Sequence, residues 1–350
     1  MKIIVLTGGG TAGHVMPHIA LLPELKKYFD KIIYIGTNSI EKQIAKEHNI
    51  DFFEIQATKF IRKNIFKNLL LPFKLISSIK KSKNILKKIN PSVIFSKGGF
   101  VALPVIIAAR ILGIPTISHE SDMSMGLANK IILKYCNVMI TSFSKTSTKN
   151  KKCIFIGSPI RQEMFDGNKQ KAKEICKFEK VKPTVLVFGG SLGAKALNDI
   201  VAQSILKLSN NYNIIHITGK NNKTNIINKS YYQVEFTSDI QDFFALSDIV
   251  VSRGGANSLF ELLAIKKPMI IIPLPKGNSR GDQVENAKYF EKNGWAKVIL
   301  QEDLTKSKFV STIENLDTKK LKTNMQNSPY DNANKKIVTQ ILRYAKKNED

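Results

Sequence analysis

The residues best able to do chemistry in this chain sit in and just after glycine-rich loops, each preceded by a short apolar run. The first is Gly8-Gly9-Gly10-Thr11-Ala12-Gly13-His14 and the second is Gly189-Gly190-Ser191-Leu192-Gly193. The third, Ser252-Arg253-Gly254-Gly255-Ala256-Asn257-Ser258-Leu259-Phe260-Glu261, leads into a helical pattern. Glycines at such a turn let backbone N–H groups approach an anion at a helix N-terminus. The first loop has the G-x-G-x-x-G spacing, yet the following apolar run ends Tyr34-Ile35-Gly36-Thr37-Asn38, without the acid that a dinucleotide ribose needs. It reads equally as a tight turn or a ligand loop. The second loop suits phosphate better, with a hydroxyl at Ser191, but it lacks the Gly-Lys-Ser/Thr ending of a P-loop. Glu261 lies where a carboxylate could clasp a ribose diol; its bland reading is a solvated helix residue. Asp282 and Gln283, in a polar loop after another apolar run, could bond sugar hydroxyls.

Positioning these loops requires strands and helices in alternation. Short β-branched runs at Ile3–Thr7, Lys31–Gly36, Phe52–Ile55, Val93–Ser96, Thr116–His119, Val138–Thr141 and Cys153–Ile156 alternate with helical patterns, the first running to about Tyr28. Continuous apolar strands of this kind predict parallel sheets covered on both faces. Gly157-Ser158-Pro159 breaks the pattern, and a Lys-rich segment to about Pro183 reads as interdomain. The pattern restarts with strands at Thr184–Phe188, Ile214–Thr218, Val234–Phe236, Ile249–Ser252, Met269–Ile272 and Trp295–Leu300, and a helix over Ala194–Lys207. The expected organisation is an N-terminal domain over 1–160, a second over 161–335, and a C-terminal helix over 336–350 that could pack back on the first.

The 350 residues carry 54 Lys and Arg against 28 Asp and Glu, a net charge of +26 that favours anionic partners. Compositional drift accounts for part of this total but not for its distribution: between Glu54 and Glu120 there is no carboxylate and there are twelve Lys or Arg. Cys136, Cys153 and Cys176 are too dispersed for a disulfide framework or a zinc cluster. The opening apolar run is too short for a signal peptide, and the longest apolar stretch, Val101–Pro115, is interrupted by Pro104 and Arg110, so no bilayer span is expected.

Taken in order, the motifs resemble one family. The Ser252–Glu261 block followed by Gly281-Asp282-Gln283-Val284-Glu285-Asn286-Ala287 is similar to the donor region of MurG-type UDP-N-acetylglucosamine:N-acetylmuramyl-(pentapeptide) pyrophosphoryl-undecaprenol N-acetylglucosamine transferases. Thr7–Val15, Lys97–Val101, His119–Asp122 with Gly126–Lys130, Gly157–Arg161 and Gly189–Ala194 match its other blocks in sequence, from residue 5 to about 290. The resemblance implies an α/β fold of two Rossmann-like parallel-sheet domains facing a cleft (GT-B). It also implies transfer of N-acetylglucosamine with inversion onto the 4-hydroxyl of a lipid-linked muramyl peptide. By the same resemblance Arg161 and Ser191 would meet the diphosphate, Ile240 the uracil through its backbone, and Glu261 the ribose. Ala256, Asn257, Ser258, Leu259 and Phe260 would lie under the nucleotide, Gln283 on the donor sugar, and Thr11, Ala12 and Gly13 along the cleft. Asp122, where many members have Asn, would touch sugar; Phe100 stands where others have Tyr.

An inverting transfer needs one base and a stabilised leaving group. His14 is the expected base, its rival role being to start the helix and hydrogen-bond the loop; His119 and Glu120 stand second. No Asp-x-Asp pair occurs and Glu120-Ser121-Asp122 is the nearest imitation, so neither metal nor cofactor is expected. Apolar residues edged by lysines through Ile61–Ile89, and Phe60–Phe73 above all, predict peripheral contact with an anionic membrane at its cytoplasmic face, although an amphipathic helix packed on the domain has the same pattern. The rival readings are a GT-B enzyme with another lipid acceptor, a UDP-sugar epimerase, a dehydrogenase, and a basic nucleic-acid-binding protein. The last finds no reader motif, so no nucleic-acid partner is expected.

Overall fold

The computed structural model describes residues 1–58, 71–148, 150–190, 193–277 and 281–345. The chain divides into two compact units, Met1–Arg161 with Tyr330–Asp350, and Gln162–Pro329.

The first unit runs β1 (Ile3–Thr7), α1 (Ala12–Leu25), β2 (Lys31–Gly36), α2 (Ile40–Glu47), β3 (Asp51–Glu54), α3 (Leu71–Ile89), β4 (Val93–Ser96), α4 (Gly99–Ile111), β5 (Thr116–Glu120), α5 (Leu127–Tyr135), β6 (Val138–Thr141), α6 (Ser144–Ser147) and β7 (Cys153–Phe155). Its strands form a parallel sheet in the order β3-β2-β1-β4-β5-β6-β7. The central strands β1, β4, β5 and β6 are buried along their whole length; β1, β4 and β6 accordingly read as mainly apolar runs, whereas β5 buries the polar Thr116, Ser118, His119 and Glu120. One face of the sheet is closed by α4 with Leu86 of α3 and Ile132 of α5, the other by α1 and by a helix from the far end of the chain.

The second unit runs α7 (Lys169–Cys176), β8 (Thr184–Phe188), α8 (Lys195–Leu208), β9 (Asn213–Ile217), β10 (Tyr231–Val234), α9 (Ile240–Leu246), β11 (Ile249–Ser252), α10 (Ala256–Ala264), β12 (Met269–Ile271), α11 (Asp282–Lys292), β13 (Ala296–Val298), α12 (Lys306–Glu314) and α13 (Thr318–Gln326). Its parallel sheet has the order β10-β9-β8-β11-β12-β13. The last helix, α14 (Ala333–Ala345), returns to the first unit, where Ile337, Val338, Ile341 and Ala345 join the core beside β1 and α1. Asn334 pins it there, donating to the carbonyls of Ala20 at 3.0 Å and Ile160 at 2.7 Å.

Both sheets thus begin in the middle and wind outward in two directions. At the reversal, between β1 and β4 in one unit and β8 and β11 in the other, neighbouring loops diverge and leave a crevice at the carboxyl ends of the strands, the place where open α/β sheets bind ligands. Several bounds differ from the sequence expectation: α1 ends at Leu25 instead of about Tyr28, α14 starts at Ala333 instead of 336, and Arg161 and the stretch from Tyr330 belong to the first unit. The β10 strand is Tyr231–Val234 instead of Val234–Phe236, and Phe236 is exposed beyond it. The final strand is only Ala296–Val298, because Trp295 turns inward to stack edge-on against Tyr289 and Phe290.

Candidate functional site

In the first unit the reversal gathers the loop after β1, the turn after β4 and the residues after β5. Thr11, exposed and in extended backbone, caps α1, with Ala12 and Gly13 opening the helix. Thr11 Oγ1 and His14 Nδ1 lie 2.9 Å apart. When Nδ1 donates to that hydroxyl, the lone pair of the neutral ring is on Nε2, which is the arrangement a base requires. His14 is half-buried and its Nε2 edge faces Gly99 at the start of α4. The second histidine of α1, His18, is fully buried. It sits 3.2 Å from the Tyr34 hydroxyl and edge-on to Tyr34 and Phe95; burial, then the charges of Lys97 and His14, hold it well below the usual imidazole range. Two histidines one turn apart therefore have opposite environments, one facing the crevice and one filling core.

The glycine loop has its own internal anion. Glu41, fully buried at the start of α2, accepts from Gly10 N at 3.3 Å and Thr37 N at 2.9 Å, and from the Thr37 hydroxyl. Tyr34 donates to Gly8 O at 2.7 Å. The acid absent from the end of β2 is thus supplied five residues later, at Glu41. It holds the loop and occupies an N–H that a phosphate would otherwise take.

Neither His119 nor Glu120 is placed to act as a base. His119 is fully buried with both ring nitrogens engaged, Nδ1 by Lys97 Nζ at 2.6 Å and Nε2 by Gly157 O at 2.9 Å. The Glu120 carboxylate is wrapped by Asp122 N (3.0 Å), Gly126 N (3.1 Å) and Asn129 Nδ2 (2.9 Å). Asp122 lies two residues on and is half-buried. Arg161 closes the first stretch of this unit.

In the second unit the same reversal opens a cavity of about 510 Å³ lined by Gly193, Lys195, Asp199, Arg253, Gln283 and Gln301 among others. Gln283 Oε1 accepts from Gly254 N (3.3 Å) and Leu274 N (3.0 Å). Because both partners are donors, that atom is the oxygen, and a ligand contact from Gln283 must come from its NH2 group. The Arg253 guanidinium donates to Gln301 Oε1 (2.8 Å) and Ile272 O (3.1 Å), tying β11 to the end of β12 and to the turn after β13. Lys195 projects from the first turn of α8, paired with Asp199 at 2.7 Å.

Ala256, Asn257 and Ser258 form the first turn of α10, directly after Gly255. The side chains of Leu259 and Phe260 fill core, Phe260 edge-on to Phe290, so these two support the helix from beneath. Glu261 is buried, not solvated. Ile240 is the first residue of α9, where a helix leaves its backbone N–H without an intrahelical partner. Ser191, with Leu192, lies outside the described residues, as does Phe60–Leu70 of the expected membrane segment. Sequence reasoning did not select Glu41, Lys97, Lys195 or Gln301. Lys195 carried a local signal, as a cation on the first turn after a glycine loop, and Lys97 stood in the Lys97–Val101 block without being given a role.

Two reversal-point crevices, one beside a histidine and one with a nucleotide-sized cavity, belong to a GT-B glycosyltransferase built from two Rossmann-like units. The chain is a member of glycosyltransferase family 28: the model for the family's N-terminal domain matches residues 4–141 and that for its C-terminal domain residues 184–341. Over 351 residues it is 46% identical to the UDP-N-acetylglucosamine–N-acetylmuramyl-(pentapeptide) pyrophosphoryl-undecaprenol N-acetylglucosamine transferase of Clostridium tetani, covering 98% of each chain. The crystal structure of Acinetobacter baumannii MurG superposes with a TM-score of 0.78 at 24% identity, over 98% of this chain and 100% of that one. The S. aureus MnaA–UDP structure does so with a TM-score of 0.72 at 12% identity, over 98% and 97%; it shares the fold alone.

Proposed function

We propose that this enzyme transfers N-acetylglucosamine from UDP-N-acetylglucosamine to the 4-hydroxyl of a lipid-linked, pyrophosphoryl N-acetylmuramyl pentapeptide, working at the cytoplasmic face of a membrane. The observation that carries this reading is the near-full-length identity to transferases of that name. The first unit reads the acceptor, and the second unit holds UDP at the cavity formed by the start of α8 with Arg253 and Gln283. Ile240 meets uracil through its backbone, Glu261 the ribose, and Gln283 the sugar through its amide nitrogen. His14 Nε2 takes the proton of the acceptor hydroxyl as its oxygen attacks the anomeric carbon. The bond from that carbon to the diphosphate oxygen breaks and its electron pair leaves with UDP. Arg161, Lys195 and the helix N-termini offset the developing charge.

The deciding experiment is UDP release from UDP-N-acetylglucosamine with and without a short-chain lipid-linked muramyl-peptide, in EDTA. Acceptor-dependent release is the expected result, and its persistence in EDTA would exclude a required divalent ion. UDP binding without such release would move the acceptor to another lipid.

The membrane contact rests on α3. No helix among the described residues is long and apolar enough to cross a bilayer. Phe73 and Ile76 of α3 are 71% and 63% exposed, and exposed Lys74, Lys80, Lys81, Lys87 and Lys88 lie on the same helix. Apolar side chains bordered by ammonium groups suit an anionic headgroup layer. Phe73→Ser with Ile76→Ser is expected to weaken sedimentation with phosphatidylglycerol vesicles about tenfold. Turnover of a water-soluble acceptor analogue should be unchanged.

A further inference from the structure

The loop after β1 is built around a carboxylate. Glu41, in the first turn of α2, is fully buried. A carboxylate buried this deeply is costly unless donors surround it. Its donors come from two loops: Gly10 N at 3.3 Å on Oε2, and Thr37 N at 2.9 Å with the Thr37 hydroxyl on Oε1. Two glycines make room for it. A Cβ on Gly9 would stand 2.6 Å from the Glu41 carboxylate carbon, and one on Gly36 would stand 2.8 Å from Glu41 Cγ. The loop therefore closes on this side chain as a glycine loop closes on a phosphate, with the anion supplied by the chain itself. The hold carries through to His14. Gly10, whose N–H meets Glu41, has φ +81°, and a Cβ on it would stand 2.5 Å from the Phe100 ring of α4. Tyr34 donates to Gly8 O at 2.7 Å and fixes the start of the same stretch. One residue past Gly10, the Thr11 hydroxyl lies 2.9 Å from His14 Nδ1, and Thr11 O accepts from His14 N at 3.1 Å. A Cβ on Gly99 would meet Gly9 O at 3.3 Å and His14 Nε2 at 3.5 Å, so the loop backbone and the His14 ring edge border the same point of α4.

We propose that Glu41 is a positioning residue for the general base: its carboxylate is the internal anion that fixes the stretch Gly8–Thr11, so that Thr11 presents His14 with Nε2 toward the crevice. This role rests on the reading of His14 as the base. Without the carboxylate, Gly10 loses its acceptor and the space between Gly9 and Gly36 empties. The loop then relaxes into that space and takes Thr11, the partner of His14 Nδ1, with it. Being fully buried, Glu41 touches neither donor nor acceptor, so its loss falls on turnover and not on binding.

The test is steady-state kinetics of Glu41→Ala, Glu41→Gln, and each combined with His14→Gln, with donor and acceptor varied separately. Glu41→Ala is expected to lower kcat about tenfold and to leave both KM values within about twofold. Acetate has the shape of the group removed. Adding it should raise kcat of Glu41→Ala about fivefold, and sodium chloride at equal ionic strength should not. Glu41→Gln fills the same space, but an amide NH2 cannot accept from Gly10 N while its oxygen serves Thr37. Its kcat should fall about fivefold, and acetate should restore nothing because the space is taken. In the His14→Gln background, either change should cost less than about a further twofold in kcat, and acetate should have no effect, since the base to be positioned is gone. A carboxylate that only stabilised the fold would lower Tm and predict neither the restored turnover nor its dependence on His14. Should Glu41→Ala fail to fold, Glu41→Gln with and without His14→Gln decides the matter by the same comparison. A kcat loss that multiplies with that of His14→Gln, a loss in Glu41→Ala that acetate leaves untouched, an unchanged kcat, or a rise in acceptor KM in its place would overturn the proposal. Absence of acceptor-dependent turnover in the wild-type enzyme, or a loss below about threefold in His14→Gln alone, would instead remove the reading beneath it, and this inference with it.

Discussion

His14→Gln is expected to lower kcat by about 10²–10⁴-fold, the usual contribution of a positioned general base. Glutamine can still hydrogen-bond Thr11 Oγ1, so that contact is kept, but it cannot take a proton. UDP affinity should stay within about twofold, because the cavity proposed for the donor lies in the other unit. The pH profile of kcat should lose its acid-side limb, which in the wild type reports protonation of the base. A loss below about threefold would mean that the imidazole only starts the helix. The assignment depends on geometry as much as on residue type. Of the histidines near this crevice, His18 is enclosed by Tyr34 and Phe95, and His119 has a hydrogen bond on each nitrogen. His14 has the ring edge turned toward the Gly99 backbone at the crevice.

Gly98→Ala, which adds a single methyl group, should be nearly as damaging for a different reason. Gly98 has φ +77°, and a Cβ there would stand 2.0 Å from Asn129 Oδ1. Asn129 is buried and holds the Glu120 carboxylate, which in turn organises the loop to Gly126. The methyl group must therefore displace the side chain that fixes the loop from Glu120 to Gly126. A loss of roughly 3 kcal/mol is expected, from overpacking added to left-handed strain. That corresponds to a fall in Tm of roughly 8 °C for a unit of this size. Gly113→Ala is the control. It has φ +72° with nothing within 4 Å of the added atom, so strain alone should cost about 1 kcal/mol. Equal losses at the two positions would show that the Asn129 contact contributes nothing.

The parts of this architecture that could be read from sequence are those the chain states locally. Central strands such as Ile3–Thr7 and Val93–Ser96 are apolar on both faces because helices cover both, so their limits could be set within a residue. The edge strand β10 was displaced because Tyr231–Val234 is only half-buried and the apolar count favoured residues further along. In the site, glycine loops and their flanking residues announce themselves by spacing. Glu41, Lys97 and Gln301 do not. Their partners lie 31, 22 and 48 residues away, at Gly10, His119 and Arg253, and only the folding of strands side by side brings them together. A buried lysine beside a histidine leaves no periodic trace; within Ser96-Lys97-Gly98-Gly99 it looks like one more basic residue in a basic stretch.

The return of α14 bears on how the chain reaches this state during synthesis. The bond from Asn334 to Ala20 spans 314 residues, and four side chains from Ile337 to Ala345 complete the core beside β1. The first unit is made first on the ribosome but can close last, because its final structural piece emerges only after the whole second unit has been translated. Until then its sheet has a bare apolar strip, a natural binding site for chaperones and a hazard for aggregation. A short truncation at the C-terminus should therefore injure the N-terminal unit, the one farthest away in sequence.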